Sequence, residues 1–68
     1  MKKQQTEVRP MPERLWTVQD TAEFLGIPVS TLYYWSYRGE GGPRIYRVGR
    51  NLRYDPADVL AWLEQQAA

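Results

Sequence analysis

Residues 17–35 read TVQDTAEFLGIPVSTLYYW, and this stretch decides the fold. Thr17 is a good helix N-cap, and Asp20 three residues on can close a capping box. Val18, Thr21, Ala22 and Leu25 then fall on one stripe at helical spacing. Ala22 is small where two helices must cross closely. Gly26 turns the chain with φ > 0 at low steric cost. Ile27 can pack inward from that turn, and Pro28 suits the first turn of a second helix, where its missing N–H costs little. Leu32 and Trp35 supply the buried side of this helix at i, i+3 spacing. Ser30, Tyr33, Tyr34 and Tyr37 fall on the opposite side, free to meet a ligand. Two short helices about a Gly turn, with one face of the second left open, make the layout of a DNA-reading helix-turn-helix.

Working outward, the second helix is expected to run to about Tyr37 or Arg38 and to stop at Gly39-Glu40-Gly41-Gly42-Pro43. Residues 44–48, RIYRV, and 52–54, LRY, are rich in β-formers and flank Gly49-Arg50-Asn51, which predicts a hairpin. Alternation puts Tyr46 and Val48 on one face and Ile45 and Arg47 on the other. Asp55-Pro56-Ala57-Asp58 then opens a third helix: Asp55 caps, Pro56 takes the first position, and Asp58 favours the positive end. Val59, Trp62 and Leu63 form its apolar stripe, with Leu60 flanking. The expected core is therefore Ala22, Leu25, Leu32, Trp35, Val48, Val59, Trp62 and Leu63. Upstream, Lys2, Lys3, Pro10 and Pro12 mark residues 1–14 as a flexible N-terminal arm. Residues 15–66 are expected to form one domain, mainly α with a small β-hairpin: a winged helix-turn-helix of three helices and a two-stranded wing.

Sixty-eight residues give limited capacity to bury a core. Three Trp, five Tyr and one Phe partly compensate, because aromatics bury much area per residue. The chain has no Cys and no His, which excludes disulfides, the usual zinc sites and His-based acid/base chemistry. Asp20, Asp55 and Asp58 read as helix-start residues rather than a catalytic set. No enzyme activity and no cofactor are therefore expected. No apolar run approaches membrane-spanning length, and MKKQQTEV lacks a signal peptide's hydrophobic region. A cytoplasmic, nucleoid-associated protein is the expectation.

The net charge of +1 conceals a strong asymmetry. Residues 29–54 hold Arg38, Arg44, Arg47, Arg50 and Arg53 against the single acid Glu40. The flanking segments 13–28 and 55–68 are acidic. A solvated face usually mixes Lys with Arg and interleaves both signs. An all-Arg basic centre points instead to phosphate, whose oxygens match the planar guanidinium bidentately. Arg38 and Arg44 could alternatively pair with Glu40 or with acids elsewhere.

Over roughly residues 15–64 the chain resembles the small excisionase-type DNA-binding proteins, or recombination directionality factors, which are related to the MerR-type winged domain. The residues that carry the likeness are LWTVQDTAEFLGIPVSTLYYW, Arg38-Gly39, Gly42-Pro43, YRVGRNLRY and DVLAWLE, in this order and spacing. The resemblance implies that the second helix enters the major groove and the hairpin reaches the neighbouring minor groove. Ser30 and Thr31 would then sit near the start of the recognition helix, where hydroxyls and N–H groups bond phosphate or base edges. Tyr33 would contact the backbone. Tyr34 stands where relatives often carry Arg, and a phenol cannot make Arg's bidentate contact to guanine. Arg50 would insert into a narrow minor groove, with Arg47 and Arg53 beside it on phosphates. Tyr37, Arg38, Arg44 and Asn51 complete the candidate DNA-binding set.

Three roles follow as expectations. The first is an excisionase that binds and bends attachment-site DNA, contacts a site-specific integrase and assembles cooperatively from monomers. The second is a small MerR-like transcriptional regulator. The third is a protein-interaction module that uses the aromatic helix face. No long helix follows Trp62 in this sequence, so a monomer in solution is expected.

Overall fold

A computed structural model describes residues 14–67. The arm expected over residues 1–14 lies, apart from Arg14, outside the described residues. Helix α1 spans Val18–Leu25 and opens with the capping box anticipated. The Asp20 amide donates to Thr17 Oγ1 at 3.0 Å, and the Thr17 amide donates back to Asp20 Oδ2 at 3.1 Å. Two amides at the positive end of the helix are thereby satisfied. The Thr17 amide holds the Asp20 carboxyl below the usual carboxylate range, and Arg14, whose Nη1 donates to Oδ2 at 3.2 Å, pulls it the same way. Gly26 closes the helix with φ 72°, a left-handed conformation that a side chain would strain.

Helix α2 spans Val29–Arg38. Pro28 is its N-cap, one position ahead of the expected place in the first turn, and offers no capping side chain. The next elements are strands β1, Tyr46–Val48, and β2, Asn51–Arg53. They pair antiparallel with Tyr46 opposite Arg53, Arg47 opposite Leu52 and Val48 opposite Asn51. The strands are shorter than the pattern suggested, and the turn is the two residues Gly49-Arg50, so Asn51 belongs to β2. Gly49 has φ 65°, as the primed turns whose twist suits a hairpin require. Helix α3, Pro56–Gln65, follows; Asp55 caps it by accepting from the Ala57 amide at 2.9 Å, and Pro56 sits in the first turn.

The core is Val18, Ala22, Leu32, Leu52, Tyr54 and Val59, with Trp16, Leu25, Ile27, Val29, Trp35 and Ile45 packed around it. Leu32, Tyr54 and Val59 have no exposed surface. Removing the Leu32 or Val59 side chain from water is worth about 1.5–3 kcal/mol. Thr21 is also fully buried, at no polar cost, because its hydroxyl donates to the Thr17 carbonyl at 2.9 Å.

Three expected core residues lie outside this cluster: Trp62 is half-buried against Trp35, and two are exposed. Val48 is 52% exposed and Leu63 42%. The hairpin alternates as anticipated, but the face carrying Ile45, Leu52 and Tyr54 packs inward, and the Tyr46–Val48 face turns away. Arg47 shares the inward face at the edge of the core, where its guanidinium reaches out to Ser36 Oγ at 3.3 Å. On α3 the inward direction centres on Val59, which leaves Leu63 at the margin. One pairing has no local signal: Trp16 and Tyr54 form an isolated antiparallel bridge with hydrogen bonds of 2.7 and 2.9 Å. It fastens the segment leading into α1 to the base of the wing.

Candidate nucleic-acid interface

Leu32 sinks fully into the core and Trp35 packs against it, and this fixes the rotation of α2. Gly41 and Gly42, both left-handed, lie directly on the Trp35 ring; a Cβ on Gly42 would come within 2.4 Å of it. Trp62 meets Trp35 with ring centroids 5.7 Å apart. With that side pinned, Ser30, Tyr33, Tyr34 and Tyr37 must face outward. Tyr33 is 49% exposed, Tyr34 55% and Tyr37 89%. Thr31 is half-buried and lies off this face.

Between α2 and the wing runs a groove lined by Tyr33, Ser36, Tyr37, Arg47, Arg50 and Leu52. A second depression continues past Tyr33 and Arg50, bounded by Asn51, Leu52 and Arg53 on one side and by Thr17, Val18 and Gln19 of the α1 start on the other. Tyr33, Arg50 and Leu52 belong to both and lie between them. Neither hollow has an acidic lining residue. Three guanidiniums with no counter-carboxylate make this surface electropositive, and a concave wall focuses such a field. Arg53 is held by its own Nη1, which donates to the Leu52 carbonyl at 2.8 Å.

The structure thus gathers Tyr33, Tyr37, Arg47 and Arg50 around the groove, with Asn51 and Arg53 bounding the adjoining depression; Ser30 is exposed on the same helix, and Tyr34 lies beside Arg38 and Glu40 at the helix's far end. It does not gather all of the candidates. Arg44 stacks over the Tyr46 ring at 5.1 Å, on the hairpin face turned away from the groove. There the Tyr46 hydroxyl donates to Asp58 Oδ2 at 3.0 Å, and this hydrogen bond raises the Tyr46 pKa above 10.0 because the carboxylate holds the proton in place. Arg38 pairs with Glu40, the acid weighed for it from the sequence, with Nη2 donating at 2.8 Å. Ser36, Thr17 and Gln19 were not anticipated as lining residues. Ser36 carried one signal, a small polar residue one turn beyond Tyr33; Thr17 and Gln19 carried none, because only the fold brings the α1 start beside the wing.

No helix among the described residues is long and apolar enough to cross a membrane. No curated protein and no solved structure matches the chain. A family model described as helix-turn-helix domain matches residues 17–67, about three quarters of the sequence and all of the elements described above. The chain belongs to the helix-turn-helix domain family, and DNA is the partner that membership implies.

Proposed function

We propose that the chain binds specific sites on double-stranded DNA through residues 15–66, as an excisionase that directs a site-specific integrase towards excision. The observation that carries the DNA geometry is the pair of acid-free, arginine-lined hollows between α2 and the wing. Helix α2 lies in the major groove with Ser30, Tyr33, Tyr34 and Tyr37 towards it. Arg50 at the turn reaches the adjacent minor groove, and Arg47 and Arg53 hold the intervening backbone. The excisionase role rests on the likeness over residues 15–64, whose motifs occupy α1, α2, the wing and α3 in the order expected. Protomers assemble side by side on repeated sites.

Arg47 and Arg53 at phosphates, with Arg50 in the minor groove, bring three cations to the duplex and give a slope of log affinity against log salt of about −3. A fluorescence-anisotropy titration at several salt concentrations measures it, and a slope near zero would remove the DNA reading altogether. The role is tested separately, in an integrase reaction on a plasmid carrying both attachment sites. Excision that depends on added protein supports the excisionase. Tight binding that leaves recombination unchanged assigns the chain instead to small regulators built on the same domain.

A further inference from the structure

Arg38 is committed on both prongs of its guanidinium. Nη2 donates to Glu40 Oε2 at 2.8 Å, and Nη1 donates to the Tyr34 hydroxyl oxygen at 3.0 Å. The guanidinium carbon also lies 5.7 Å from the centre of the Tyr34 ring. The arrangement has a local cause. Tyr34 and Arg38 are one turn apart on α2, and the left-handed Gly39, φ 77°, folds Glu40 back towards the helix end. The exposed ion pair is weak as a source of stability. Its consequence is directional. Arginine only donates, so the phenol oxygen must accept from it, and the single phenolic proton is left to point outward.

We infer that the Glu40–Arg38–Tyr34 chain makes Tyr34 a fixed hydrogen-bond donor in the major groove, selecting a base that presents an acceptor and rejecting cytosine on the contacted strand. This rests on the DNA reading above and adds a specificity residue to it. In the major groove guanine offers N7 and O6, adenine N7 and thymine O4, while cytosine offers its N4 amino donor. A free tyrosine could rotate its hydroxyl and accept from that amino group; one that already accepts from Arg38 meets it donor to donor. Tyr34 therefore reads a base without the bidentate fork that arginine would bring. Arg38 and Glu40 are positioning residues and do not touch the DNA.

The test begins with duplexes selected by the unmodified full chain from a randomised pool, followed by each single-base variant of the selected site. The parent should exclude cytosine at one position by about five-fold, the value of one well-made hydrogen bond. Tyr34→Phe should lose that exclusion. Arg38→Ala should lose it too, by freeing the hydroxyl, with the salt slope unchanged. The inference is overturned if Tyr34→Phe keeps the parent's base preferences. It is equally overturned if Arg38→Ala weakens binding to every sequence alike and flattens the slope by about one unit, since Arg38 is then a phosphate contact. A parent that selects no sequence overturns the DNA reading itself, a result distinct from either. Thermal melts of both variants should match the parent, because Tyr34 and Arg38 are exposed.

Discussion

Helix α2 and the wing face the same groove, yet they are held in different ways. Helix α2 is rooted along its length: Leu32 is fully buried, and Trp35 is caught between the Gly41-Gly42 backbone and Trp62. The wing is rooted towards its base, by Leu52, Tyr54, the bridge to Trp16 and the hydrogen bonds of Tyr46 to Asp58 and of Arg47 to Ser36; beyond these, Val48, Gly49, Arg50 and Asn51 are all exposed. Rigid burial fixes which side chains α2 presents, and so suits reading base edges, where a small displacement breaks a hydrogen bond. A hairpin with a free end suits a contact made by charge and reach. Packing sets the geometry on one side of the groove and electrostatics supplies the attraction on the other.

The sharpest way to break this contrast is to truncate one apolar residue in each part. Leu32→Ala removes a fully buried side chain and should cost about 2–5 kcal/mol, a large fraction of what a domain this small can hold. Val48→Ala, in an equally apolar position by sequence, should change stability by less than about 0.5 kcal/mol because the side chain already faces solvent. Chemical denaturation of the two variants checks both. Equal losses would mean that the wing packs on its outer face and is as firmly held as the helix.

That pair also shows how far the sequence could be read. The caps, the turns and the helix phases are set by neighbours a few residues apart, so Thr17, Gly26, Asp55 and the α2 face were all legible. Alternation in the hairpin was legible as well. Which of its faces turns inward was not, because Arg47 on the inward face and Val48 on the outward face invert the usual polarity. The arginine is tolerated there because its head escapes to Ser36. The LRY segment held the better signal, since Leu52 and Tyr54 are the alternating apolar pair that does enter the core. Gly41-Gly42 was read as a helix stop. The stop belongs to Gly39, and the following pair exists for close approach to Trp35. Trp16–Tyr54 pairing and the α1 side of the groove depend on contacts distant in sequence and left no trace in the pattern.

A smaller effect separates the two parts by binding rather than by folding. Arg50 stands at the turn and lines both hollows without a hydrogen bond or ion pair among the described residues. Arg50→Ala should cost about 1–3 kcal/mol of binding and relax the preference for A·T steps under the wing, with no change in melting temperature. Titration against the selected site and a variant with G·C pairs at that place measures it. Identical binding of both duplexes by parent and variant would leave α2 as the sole reader.

The smallest effect concerns the wing's own root. The Tyr54 hydroxyl is buried and has no hydrogen-bond partner among the described residues. A buried unpaired hydroxyl costs free energy, so Tyr54→Phe, which keeps the ring and removes the oxygen, should stabilise the fold by about 1 kcal/mol. Burial also raises the Tyr54 pKa above 10.0, chiefly because the phenolate would be desolvated and secondarily because Tyr33 lies nearby. The sign follows from proton binding: above pH 10 the unfolded chain releases this proton while the folded chain retains it, so stability falls as pH rises through that range. Tyr54→Phe removes this contribution and leaves that of Tyr46, whose proton is held by Asp58. Thermal melts from pH 9 to about pH 11 should therefore show the variant's advantage widening with pH. An advantage absent at every pH would mean that the hydroxyl finds a partner in solution, and that the wing is rooted by a hydrogen bond as well as by packing.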